Sequence, residues 1–134
     1  MSWKIEYLKE AAKDLKEIDN STRIIILKSI EKVSINPLPR SQGGYGKALG
    51  NNDYAKLSGL CKIVLKKQGV RIVYKAVQKK NSMVIVVISA RSEFKVYDIA
   101  AKRIWYFVKK TAKISGFFIF ELNTYRFLNS LILL

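Results

Sequence analysis

Lys62, Lys66, Arg71 and Lys75 fall in one strand-like stretch, KIVLKKQGVRIVYKAV, and Arg91 and Tyr97 fall in a second, VVISARSEFKVYDIAAKR. The chain contains no histidine, which removes the ribonuclease scheme built on a histidine pair. Lysine, arginine and tyrosine can still handle a phosphodiester. Attack of a 2′-hydroxyl on its own phosphate needs a group to take the proton, cations to stabilise the phosphorane, and help for the leaving oxygen. A lysine serves as base when neighbouring cations lower its pKa. The planar fork of arginine binds phosphate oxygens in pairs. A tyrosine can stack on a splayed base and orient the phosphate through its hydroxyl. The carboxylates are scattered, so no metal site and no cofactor are expected.

Strand parity decides which of these groups can meet. Cys61, Ile63 and Leu65 alternate with Lys62, Val64 and Lys66. The apolar set should face the core and the lysines should face outward together. Cys61 is therefore expected to be a core residue rather than a nucleophile. On the next strand Ile72, Tyr74 and Ala76 pack inward, leaving Arg71, Val73 and Lys75 on the opposite face. A tight turn at Gln68-Gly69 would put Lys66 close to Arg71. Taken singly, Lys66, Lys67 and Lys75 read as solvated charges, and Tyr97 as a core residue. For Lys62, Arg71, Arg91 and Tyr97 together a functional reading is preferred, mainly through the resemblance given below.

The elements that must hold these groups are readable from hydrophobic periodicity. Trp3, Ile5 and Tyr7 alternate with polar residues and predict a first strand with one buried face. A helix over about 8–18 carries the stripe Leu8, Ala11, Ala12, Leu15 and Ile18. A second helix, capped by Ser21 or Thr22, carries Ile24, Leu27, Ile30 and Val33 and stops before Asn36-Pro37. Prolines and glycines make residues 37–59 irregular. Strands follow over 61–67, 70–77 and 83–89, the last apolar on both faces and central. A final helix over about 92–110 carries Val96, Ala100, Ile104 and Phe107. The expected fold is α+β, ordered β-α-α-β-β-β-α, with an antiparallel sheet covered by a helical hairpin and a C-terminal helix.

The chain has 134 residues and a net charge of +15. Its length suits a single folded domain, and its charge favours a polyanionic partner. No secretion signal or membrane span is read in it, and the cytoplasm is the expected compartment. Residues 111–134 are read as an apolar tail separate from a domain at 1–110. Beyond Lys113 the tail has only Glu121 and Arg126 as charges. It could complete the core, bind a partner, lie on a membrane surface, or be extra coding after a shifted stop; a segment peripheral to the domain is favoured.

The segments WKIEYLKEAAKDLKEID, SINPLPR, GKALG, KIVLKKQGVRIVYKAV and VVISARSEFKVYDIAAKR, in this order, resemble the RelE/ParE superfamily of bacterial toxins. The likeness covers about residues 2–108 and is closest to the RelE-like ribosome-dependent messenger-RNA endonucleases. It implies that Lys62, Arg71, Arg91 and Tyr97 are catalytic. Lys62 would match a lysine with general-base and phosphate-binding roles, and Arg71 a transition-state stabiliser. Arg91 would stabilise charge or protonate the leaving group, and Tyr97 would stack on and orient the cut nucleotide. Lys66, Lys75 and Lys47 would bind RNA phosphates. A second family lysine falls on Val64, for which Lys66 would compensate in part.

The resemblance further implies cleavage of messenger RNA in the ribosomal A site and neutralisation by an acidic antitoxin. Two other readings remain open. One is a ParE-like gyrase inhibitor, against which Arg91 and Tyr97 speak. The other is a non-catalytic RNA- or antitoxin-binding relative, to which Val64 gives weight.

Overall fold

A computed structural model describes residues 2–49, 59–90 and 93–112. Strand β1 (Lys4–Tyr7) leads into helices α1 (Lys9–Lys16) and α2 (Asn20–Val33). After a connector come β2 (Lys47–Ala48), β3 (Leu60–Leu65), β4 (Val70–Val77), β5 (Ser82–Ser89) and α3 (Glu93–Ala112). The expected α+β order is present, with β2 added. The tail beyond residue 112 lies outside the described residues; α3 itself runs two residues past the expected domain boundary at 110.

The five strands form one sheet in the order β1-β5-β4-β3-β2. The pairs β2–β3, β3–β4 and β4–β5 are antiparallel, and β1–β5 is parallel. The sheet is therefore mixed rather than wholly antiparallel. The long connection from β1 to β5 places no hairpin constraint on their relative direction. β5 is interior, as its two-sided apolar pattern requires, and is buried from Ser82 to Ile88.

Both sheet faces are covered. Residues paired across strands share a face, so Ile5, Met83, Ile85, Tyr74, Ile72, Cys61 and Ile63 lie together. The α1–α2 hairpin covers this side. Tyr74 donates its hydroxyl hydrogen bond to the Pro37 carbonyl at 2.8 Å, tying the connector down over the same face. A Cβ at Gly46 would collide with that hydroxyl and with the Pro37 carbonyl, so only glycine fits there. Burial pushes both the Tyr74 hydroxyl and the Cys61 thiol up in pKa. Cys61 is a buried core group.

Helix α3 covers the opposite face through Val96, Tyr97, Ala100 and Ala101, all buried. Glu6, which strand alternation places on this side and toward solvent, is only 3% exposed. Its Oε1 lies 3.8 Å from Lys4 Nζ and 3.5 Å from Ser82 Oγ.

The phase of α2 differs from the expected stripe. Ile26 and Ile30 are fully buried, whereas Ile24 is 45% and Leu27 40% exposed. The run Ile24-Ile25-Ile26-Leu27 is apolar all round, so periodicity alone does not phase it. Contacts at the start of the helix do. The Asp19 side chain, rather than Ser21 or Thr22, is the cap and accepts from the Thr22 N–H at 3.0 Å. Arg23 donates to the Leu15, Lys16 and Ile18 carbonyls at the end of α1. These bonds satisfy helix-terminal carbonyls and fix the rotation of α2 against α1.

Candidate active site

The register builds a basic surface on the α3 side of the sheet. Lys62 pairs with Lys47 on one side and Val73 on the other, and Val73 pairs with Val87. Arg71 pairs with Val64 and with Ser89, the last residue of β5. Lys75 pairs with Leu60 and Val84. Lys47, Lys62, Arg71 and Lys75 therefore share one face. Arg71 and Lys75 flank Lys62 diagonally, each about 7–8 Å away along the backbone lattice. Lys47 and Lys62 are directly opposite like charges, an arrangement that an anion between them would relieve.

The hairpin turn corrects the expected place of Lys66. Leu65 pairs with Val70, so the turn takes four residues, 66–69, with Gly69 at a φ of 67° and its N–H bonded to the Lys66 carbonyl. Glycine reaches that φ without a Cβ penalty. Lys66 is an exposed turn residue, and the residue opposite Arg71 is Val64. The position where the resemblance calls for a second lysine is thus the one facing Arg71.

Lys62 and Tyr97, 35 residues apart, come together: Lys62 Nζ donates to the Tyr97 hydroxyl at 2.9 Å. The ammonium is 5.6 Å from the ring centroid. The hydrogen-bond length plus the reach from ring centre to hydroxyl oxygen accounts for almost all of that distance. The ammonium therefore lies out along the C–O bond, and the contact is a hydrogen bond more than a cation–π stack. Tyr97 is only 6% exposed, so its ring packs in the core and its hydroxyl is the part that meets the basic face. In this bond the Tyr97 hydroxyl oxygen is the acceptor and Lys62 the donor. Arg91 lies outside the described residues; Ser89 brings β5 to the level of Arg71 two residues earlier.

A further pair was not readable from any motif. Arg103 of α3 and Asp14 of α1 form a two-pronged ion pair at 2.7 and 3.2 Å. Arg103 also donates to the Val86 carbonyl at 2.9 Å, and Asp14 accepts from the Ile88 N–H at 3.1 Å. The partners are 89 residues apart, and no periodicity links them. Among the described residues, no three His, Cys, Asp or Glu side chains cluster as metal ligands, and no helix is long and apolar enough to cross a membrane.

This fold matches solved toxin structures along nearly their whole length. A substituted E. coli RelE toxin in the free state superposes with a TM-score of 0.60 at 21% identity, over 78% of this chain and 99% of that one. The same substituted toxin in complex with a peptide of the antitoxin RelB gives 0.58 at 19% identity, over 75% and 95%. The Mycobacterium tuberculosis RelBE2 toxin-antitoxin complex gives 0.54 at 18%, over 68% and 100%. The chain has the RelE toxin fold. No family model matches the chain, and no curated protein sequence matches it.

Proposed function

We propose that this protein is the toxin of a toxin-antitoxin system and a metal-independent endoribonuclease that cuts messenger RNA in the ribosomal A site. The observation that carries the reading is the Lys62–Tyr97 contact on the face that also holds Arg71. In the proposed step the 2′-oxygen attacks the adjacent phosphorus and the bond from phosphorus to the 5′-oxygen breaks. Lys62, as its neutral amine, takes the 2′ proton, Arg71 stabilises the charged phosphorane, and Arg91 stabilises that charge or protonates the leaving 5′-oxygen. Tyr97 orients the phosphate through its hydroxyl. Lys47, Lys66 and Lys75 hold neighbouring phosphates, Lys66 from the turn rather than the sheet face.

The domain is proposed to span residues 1–110, with 111–134 accessory to it. An acidic antitoxin is the proposed protein partner and the cytoplasm the proposed compartment. The resemblance to RelE structures solved with antitoxin supports the first, and the charge of +15 makes an anionic partner favourable.

Purified protein added to programmed ribosomes tests the chemistry. The products expected are a 2′,3′-cyclic phosphate and a 5′-hydroxyl, and a message carrying a 2′-deoxynucleotide at the cut position should resist. Cleavage of that deoxy message would overturn the mechanism. A second reading, a non-catalytic relative that binds RNA or antitoxin, is favoured by one observation: Val64 stands opposite Arg71. Unchanged messages together with retained ribosome binding would support it.

A further inference from the structure

The Asp14–Arg103 pair occupies the edge of β5 at the point where the sheet is interrupted. The parallel pairing with β1 ends at Tyr7 and Ile85, and the Leu8 N–H closes it on the Ile85 carbonyl. On the other side of β5 the register with β4 shifts: Tyr74 pairs with Ile85 but Val73 pairs with Val87. Val86 is therefore an extra residue, a bulge, in a strand that has just lost its parallel neighbour. Both Val86 and Ile88 are buried, so their backbone groups on that edge need partners. Arg103 supplies a donor to the Val86 carbonyl and Asp14 an acceptor to the Ile88 N–H.

The bulge has a consequence for the basic face. Strand residues alternate between faces, so without the extra residue Ser89 would share a face with Ile85, under the α1–α2 hairpin. With it, Ser89 lies in the row of Arg71 and Val64. The same pair also fixes α3, six residues after Tyr97, against the sheet.

We propose that Asp14 and Arg103 are positioning residues. They hold the β5 bulge and the seating of α3, and through them the Tyr97 hydroxyl on Lys62 and the strand exit beside Arg71. The assignment rests on the nuclease reading only for its effect on rate. Its structural content is separate, because the Lys62–Tyr97 contact can be observed without activity.

The experiment uses the full chain with Arg103→Lys, which keeps the charge but loses the fork, and Asp14→Asn, which keeps the shape but loses the charge. Tyrosine labelled with carbon-13 at the ring carbon bearing the hydroxyl reports the Tyr97 contact. Its resonance in either variant is expected to move toward that of Lys62→Ala, with the circular dichroism spectrum unchanged. Cleavage on programmed ribosomes should slow by on the order of tenfold to a hundredfold, in kcat rather than in KM, as small misplacements of reacting groups do. In a Tyr97→Phe background, Arg103→Lys should cost less than it does alone, since part of its effect runs through the Tyr97 contact. An unmoved Tyr97 resonance in folded variants would overturn the proposal, as would losses that multiply in the double variant. Should Arg103→Lys fail to fold, the Asp14→Asn resonance decides. If the unsubstituted protein cuts no message while the resonance still moves, the nuclease reading fails and the positioning role stands.

Discussion

Val64 and Arg71 face each other directly across β3 and β4, on the face that carries Lys62. This pairing places a half-buried apolar side chain where a cation would be near enough to share a phosphate with Arg71. On the proposed nuclease reading, this lattice point is a gap in the cationic framework.

Filling the gap should strengthen the chemistry. Val64→Lys is expected to raise the single-turnover rate of message cleavage on programmed ribosomes by about a hundredfold, the low end of what a positioned proton-transfer group supplies. It should also cost roughly 0.2–1 kcal/mol of stability, because it sets like charges opposite each other. A rate equal to or below that of the unsubstituted chain would mean that the gap is not catalytically limiting.

The phase of α2 can be checked by paired substitutions. Ile26→Ala removes a fully buried side chain and should cost about 2–5 kcal/mol in urea unfolding. Ile24→Ala, in the same run but 45% exposed, should stay within about 0.5 kcal/mol. Equal losses at the two positions would contradict the observed rotation of the helix.

The cap of α2 predicts a pH dependence. The Ser21 hydroxyl, followed by the Thr22 N–H and hydroxyl, lowers the Asp19 pKa from 3.8 to about 2. A carboxylate with a depressed folded-state pKa contributes stability that is complete above its unfolded value and is lost as pH falls through the folded one. The unsubstituted chain should therefore melt at a higher temperature than Asp19→Ala by a constant margin from pH 5 to 8. The margin should shrink between about pH 4 and pH 2. A margin undiminished at pH 2 would rule out the ionised cap as its source.

Much of this architecture was legible in the sequence. The parity of Cys61, Ile63 and Leu65 against Lys62 and Val64 assigned the two faces of β3, and the two-sided apolar pattern of residues 83–88 made β5 interior. The register was less accessible, because Gln68-Gly69 reads as a two-residue turn and only the tertiary pairing of Leu65 with Val70 shows that four residues are used. The parallel direction of β1 and the rotation of α2 also depend on contacts between distant segments. Glu6 could not be placed from strand alternation, which puts it toward solvent whereas it is 3% exposed. The Lys62–Tyr97 bond and the Asp14–Arg103 pair span 35 and 89 residues. The first was anticipated only as two members of one constellation, and the second carried no local signal.

The central claim is that Lys62 and Tyr97 act together on RNA. Primer extension on messages from cells induced for the unsubstituted chain, Lys62→Ala and Tyr97→Phe tests it most directly. Tyr97→Phe keeps the core ring and removes only the hydroxyl that accepts from Lys62. Discrete cuts within translated regions are expected for the unsubstituted chain, with cutting reduced on the order of a hundredfold in both variants. Intact messages with the unsubstituted chain, or cuts of equal strength in all three, would contradict the account.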